Sequence, residues 1–228
     1  VDELAVFPLG VVVFPGMTVP LHVFEERYKR LVKHAASLGP PRFVIAPPPS
    51  DGMEDEGAAR PGEVGTIMDV LDTTENLDGS IRLLAHGRER CRARYVREER
   101  VQEPSGGERP LWFAQVEPWP VERGDPNEER VAAWDALAAF DEYGSVFFAP
   151  QARDQASNAM PDDPLYQASF ICANLRLPTD RAQRLLEAPT LVDRFRAARA
   201  AIDARITAHD GSGPSDDPFD LGEPSGPA

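Results

Sequence analysis

The chain has 228 residues, room for one large domain or two small ones at about 150 residues per domain. With 42% hydrophobic and 27% charged residues it has an ordinary globular composition and is long enough to bury a core. Its 24 Lys and Arg against 38 Asp and Glu leave a net charge of −14. This excludes whole-surface electrostatic attachment to nucleic acid or anionic lipid and leaves room only for a local basic patch.

From Leu4 to Phe24 the chain carries no formal charge, long enough to cross a bilayer. Pro8, Pro15 and Pro20 break any helix there, and Asp2 and Glu3 have the wrong sign for a secretory leader. The segment therefore reads as short buried strands: Ala5–Phe7, Val11–Phe14 and Thr18–Phe24, separated by Pro-Leu-Gly and Pro-Gly-Met turns. Tyr28, Leu31, Val32 and Ala35 then mark a helix, with Glu25 four residues before Lys29 and Gly39-Pro40-Pro41 ending it. Phe43–Ala46 is a short strand, and Pro47–Gly62 reads as a mobile loop. Strands resume at Val64–Leu71, turn at Asn76–Gly79, continue through Ile81–His86 and alternate from Gly87 to Tyr95. A second loop over Gln102–Pro110 precedes a strand at Leu111–Val116.

From about Asn127 the period becomes helical. Val131, Trp134 and Ala138 mark one helix, and Leu165, Ala168, Ser169 and Cys172 another. Pro178-Thr179-Asp180 opens a third, carrying Leu185 and Leu186. The last carries Leu191, Phe195, Ala198, Ile202 and Ile206 on one stripe, with Thr190 and Asp193 at capping-box spacing. The remainder is acidic and rich in proline and glycine, and it reads as a disordered tail. The expected fold class is α+β: a strand-rich half over residues 1–122 with one inserted helix, a helical half over 123–209, and a tail over 210–228.

Enzymatic signatures are absent. There is no GxxxxGK[ST] loop, no GxSxG and no HExxH. The only lysines, Lys29 and Lys33, fall on the exposed side of an amphipathic helix, and His22, His34, His86 and His209 have no metal-ligand spacing. Cys91 and Cys172 lie far apart, which fits a reducing compartment and a cytoplasmic location. The chain starts at Val1, so the native start is expected to be missing or altered. The expectation is a non-enzyme without cofactor or metal.

Two features stand out. Arg88, Arg90, Arg92 and Arg94 alternate along a strand and project from one face, with Cys91, Ala93 and Tyr95 on the other. They form either a solvated strand face with cross-strand carboxylate partners or a basic strip for phosphate or acidic segments. Phe14, Met17, Leu21 and Phe24, with Arg27 at the rim, are either plain core or the lining of a groove for an extended polypeptide.

The residues also carry a family resemblance. Phe7-Pro8-Leu9-Gly10, Val13-Phe14-Pro15-Gly16-Met17, Pro20–Glu25 and Arg27-Tyr28 resemble the opening of the Lon protease N-terminal domain. Val64-Gly65-Thr66, Asp78-Gly79 and Gly87–Arg90 with Arg92 resemble its middle, and Leu175, Leu177-Pro178 and Leu185–Glu187 its helical end. The resemblance implies a PUA-like β-barrel followed by a C-terminal helical bundle. It also implies recognition of unfolded or apolar-rich polypeptides, with a protease or chaperone component among the partners, no membrane, and neither ATPase nor protease parts in this chain. RNA binding through the arginine face is the alternative, because PUA-like barrels in other families bind RNA.

Overall fold

The apolar runs at both ends of the strand-rich half meet in one mixed sheet. In the computed structural model, which describes residues 3–48 and 62–211, six strands are hydrogen-bonded. They are β1 (Glu3–Phe7), β2 (Thr18–Val23), β3 (Arg42–Ile45), β4 (Val64–Glu75), β5 (Ile81–Gln102) and β6 (Glu108–Pro118). The order is β2-β5-β4-β3-β1-β6, and β6 pairs back onto β5, so the sheet returns on itself. Only β1–β3 is parallel; the other pairings are antiparallel. The 22-residue β5 holds this together, pairing β2 and β4 through its first half and β6 through its second.

Strands β1 and β3 are continuous apolar runs because both faces are covered. Ala5, Phe7, Phe43 and Ile45 face one core, shared with Leu31 and Val32 of α1 (Glu26–Ser37), while Leu4, Val6, Val44 and Ala46 face another. The N-terminal amides of α1 are capped from 77 and 76 residues away: Glu26 N–H donates to Glu103 Oε2 at 2.9 Å and Arg27 N–H to Glu103 Oε1 at 3.1 Å. The expected Glu25–Lys29 pair is replaced by Glu26–Lys29 at 2.8 Å.

Five more helices follow, making six among the described residues: α2 (Pro126–Phe147), α3 (Pro150–Asn158), α4 (Pro164–Asn174), α5 (Thr179–Glu187) and α6 (Leu191–Gly211). Asp125 and Asp163 cap α2 and α4 ahead of Pro126 and Pro164, and Thr190 Oγ1 accepts the Asp193 N–H at 3.0 Å. Helices α2, α4, α5 and α6 enclose a third core that also takes Val12, Phe14 and Val121 from the strand-rich half.

The structure corrects four expectations. Val11–Phe14 is not a strand: its backbone turns through Gly16, and Thr66 Oγ1 donates to Val13 O at 2.5 Å. The Gln102–Pro110 loop is a tight hairpin, turned at Gly106 and Gly107, that continues β5 into β6. The stripe assigned to α2 is its outer face, with Val131 65% and Trp134 73% exposed. Ala133, Ala136, Ala139, Phe140 and Tyr143 are buried instead, because α2 lies close along α6 and small side chains permit the approach. Helix α3 was not expected at all. The loop over residues 49–61 and the tail from residue 212 lie outside the described residues. No helix among the described residues is long and apolar enough to cross a membrane.

Candidate functional site

The site is built on the turn that replaces the expected second strand. Met17 N–H donates to Phe14 O at 3.1 Å, closing the turn, and Phe14 N–H approaches Met17 Sδ at 3.1 Å. Gly16 N–H donates to Gly87 O, and Gly87 N–H to Met17 O, both at 2.7 Å, so the turn is pinned to the bend of β5. Gly16 has φ +92°, and a Cβ there would meet the Tyr166 ring at 2.8 Å. The absence of a side chain lets α4 lean against the turn.

Between turn and helix lies a cleft of about 480 Å³. One wall is Pro15, Gly16, Met17 and Thr18. The other is Tyr166, Phe170, Ala173 and Asn174, spaced to share one face of α4. Three lining residues are polar: Thr18 Oγ1 and His86 Nδ1 are 3.1 Å apart, and Asn174 Nδ2 donates to Phe170 O at 2.8 Å. An apolar trough with a few polar groups suits an apolar side chain and its flanking peptide units.

The five residues expected to line one groove are dispersed. Met17 lines this cleft, half-buried. Phe14 does not: it is 1% exposed, with its ring in the helical core, where the turn directs it inward. Leu21 packs half-buried against the sheet core. Phe24 is exposed and borders a separate groove of about 410 Å³ with Leu9, His22 and Arg109. Arg27 lines that same groove beside Phe24, but it is almost wholly buried: its Nε donates to Glu25 Oε2 at 2.9 Å, its Nη1 donates to Pro110 O at 3.3 Å, and its guanidinium stacks 4.3 Å over Tyr28. The wall from α4 was missed because it lies about 150 residues downstream. Its trace was the run Tyr166, Phe170, Ala173 at helical spacing, beside the buried stripe that was read.

The arginine ladder is not one solvated face. Arg90 is 1% exposed, because the helical half folds over it and supplies acceptors. Its Nη1 donates to Leu186 O and Ala188 O, both at 2.7 Å, its Nε to Trp119 O at 2.7 Å and its Nη2 to Pro120 O at 3.1 Å. Arg92 remains exposed, 3.9 Å over the Trp119 ring. Arg88 pairs with Asp69 across the strands at 3.6 Å and with Glu89 at 3.4 Å, and Arg94 reaches Glu117 at 3.9 Å. Asp69 and Glu117 are cross-strand carboxylate partners, whereas Glu89 is the neighbour of Arg88 on β5.

Burial pushes the thiols of Cys91 and Cys172 up to about 12, so both stay protonated near neutral pH. Among the described residues no group of three or more His, Cys, Asp or Glu side chains is gathered to hold a metal ion.

The comparisons agree with this architecture. The family model described as the ATP-dependent protease La (LON) substrate-binding domain matches residues 3–203. The Lon protease of Xanthomonas oryzae pv. oryzae is 27% identical over 205 residues, covering 90% of this chain and 23% of that protein. The Lon protease of Escherichia coli K12 is 25% identical over 205 residues, covering 90% of this chain and 25% of that protein. This chain therefore spans about a quarter of the length of those relatives. The solved N-terminal domain of the Mycobacterium avium complex Lon protease aligns with TM-score 0.64 and 18% identity, covering 89% of this chain and 98% of that one. A Lon N-terminal domain protein from Xanthomonas campestris aligns with TM-score 0.54 and 24% identity, covering 88% and 98%. Both structural likenesses concern the fold, whereas the family model's match across most of the described residues establishes that the chain belongs to the LON substrate-binding domain family.

Proposed function

We propose that this chain is a non-enzymatic module that recognises unfolded or apolar-rich polypeptide segments in the cleft between the Phe14–Met17 turn and α4. The observation that carries this reading is the cleft itself, a mainly apolar trough lined by Met17, Tyr166 and Phe170, with Thr18, His86 and Asn174 as its polar groups. The family's description as a substrate-binding domain supports it. We extend the reading to the architecture: a PUA-like β-barrel to about residue 122, followed by a helical bundle, with the cleft at their junction. A protease or chaperone component is the partner to which bound segments would pass.

Fluorescence anisotropy with a labelled, unstructured apolar peptide tests this. Affinity is expected on the order of micromolar, because few anchors are preorganised, with little dependence on salt. Tyr166→Ala should weaken binding at least several-fold, as should Met17→Asp where circular dichroism shows the fold intact. The charge reversals Arg88→Glu and Arg94→Glu should change it little. Binding of single-stranded RNA that falls steeply with salt and disappears in those reversals, with no peptide binding, would overturn the proposal.

A further inference from the structure

We propose that the outer edge of β4, Leu71–Glu75, takes an extended basic polypeptide segment as an added strand. Leu71 and Leu77 are its apolar footholds. This site is distinct from the junction cleft. The cleft is lined by Thr18 and His86 of the β2–β5 ladder, whereas the edge runs along the far side of β4, from Leu71 beside Leu84 and Ala85 to Glu75 opposite Ile81; only its Glu75 end lies about 17 Å from the Thr18↔His86 row at strand rise.

Strand β3 pairs with β4 only from Ile45↔Thr66 to Arg42↔Asp69, and Val70 N–H reaches Pro41 O at 3.1 Å. Beyond that point β4 is bonded to β5 alone, and among the described residues no strand pairs with the other edge of Leu71–Glu75. All five residues are exposed. The β4–β5 register shifts at Leu71, between Val70 and Asp72; from Asp72 to Glu75 the edge is regular and presents alternate N–H and C=O groups, the template for strand addition. The opposite margin of this three-stranded arm is β2, where Pro20 has no N–H to offer. The stretch Leu71–Glu75 contains neither proline nor lysine.

Exposed apolar side chains stand at both ends of this stretch. Leu71 is 57% exposed, and Leu77 in the turn is fully exposed. Leu71 follows the last pairing of β4 with β3, and Leu77 stands just past Glu75. The charge on the edge selects the occupant. Asp72 and Glu75 lie on it and Asp78 in the adjoining turn, and none of the three ion-pairs with a cation among the described residues. A second copy would bring the same carboxylates and another net −14, so self-pairing is opposed. An extended segment alternating basic and apolar side chains meets both requirements.

The probe is a fluorescent decapeptide of alternating lysine and valine, compared with the same peptide N-methylated at alternate residues, each titrated into the full chain. N-methylation keeps the side chains and removes ladder donors, so it should weaken binding about tenfold or more. Asp72→Lys with Glu75→Lys, both on exposed positions, should weaken it about tenfold, while Tyr166→Ala in the junction cleft leaves it unchanged. Bound peptide should slow amide hydrogen exchange at Leu71–Glu75. Equal binding of the N-methylated peptide, no binding at millimolar peptide, or loss of binding in Tyr166→Ala but not in the edge variant would overturn the proposal. Dimerisation abolished by Leu71→Asp would overturn it too, assigning the edge to a second copy.

Discussion

Arg90 on β5 and Arg194 on α6 donate to the same acceptor, the carbonyl oxygen of Leu186, at 2.7 and 2.9 Å. Leu186 lies in the last turn of α5, where carbonyls have no partner within the helix. The two guanidiniums, both almost wholly buried, satisfy that end and place positive charge at the negative pole of the helix dipole. Burial, and then the neighbouring Arg194, push Arg90 down to about 10, yet it stays charged at neutral pH. The strand-rich and helical halves are joined through this pair.

Replacing Arg90 with methionine removes the donor to four carbonyls, those of Trp119, Pro120, Leu186 and Ala188. We expect Arg90→Met to lower unfolding stability by about 3–5 kcal/mol. Arg88→Met and Arg94→Met, whose ion pairs are exposed, should stay within about 1 kcal/mol of the parent. Urea denaturation measures all three; an Arg90→Met variant as stable as the other two would refute the anchoring role.

Gly16→Ala combines backbone strain at φ +92° with a methyl 2.8 Å from the Tyr166 ring. A loss of about 1–2 kcal/mol is expected, together with weaker peptide binding as the ring is displaced from the cleft. Tyr166→Ala in the same chain should recover the steric part and leave the strain. The double variant should therefore be more stable than the sum of the singles, whereas simple additivity would show that turn and helix are not in contact.

Much of the fold was legible because local chemistry agreed with the tertiary outcome. The stripe Tyr28, Leu31, Val32, Ala35 is the buried face of α1, and Thr190 with Asp193 does open α6. The failures have a common cause. Glu103 capping α1 and Arg90 bonding α5 are long-range polar contacts, invisible to any local pattern. The period-2 rule grouped Arg90 with three exposed neighbours because a second layer covers only one point of that face. The site was half legible: Met17 was named, but its partners on α4 come from a segment that only the folded chain brings near.

Helix α2 offers a test of the same lesson. A reading by side-chain size selects Val131 and Trp134, but the surface facing α6 is alanine, with Ala136 fully buried. Trp134→Gln should leave stability within about 0.5 kcal/mol of the parent. Ala136→Leu should cost about 1–3 kcal/mol, because three added carbons must fit where two helices touch. A stable Ala136→Leu together with a destabilised Trp134→Gln would mean that α2 is rotated about its axis from the orientation described.

Alkaline stability follows from the two thiols. Cys91 and Cys172 are raised from 9.0 to about 12, chiefly by burial. Between those values the unfolded chain releases protons that the folded chain keeps, so stability is fully present below pH 9 and is lost as pH rises toward 12. Each thiol contributes a slope of up to about 1.4 kcal/mol per pH unit, and the two together about twice that. Tyr28 is also raised by burial but joins only above pH 10. Arg90, lowered to about 10, works the other way above that pH, where folding increasingly favours its neutral form. Between pH 9 and 10 the cysteines therefore supply most of the fall. Urea midpoints taken at pH 8, 9 and 10 should fall across that interval, and the fall should flatten in a Cys91→Ala, Cys172→Ala variant even though its baseline stability is lower. An equally steep fall in that variant would assign the alkaline transition to other groups and show that the two thiols titrate alike in the folded and unfolded chains.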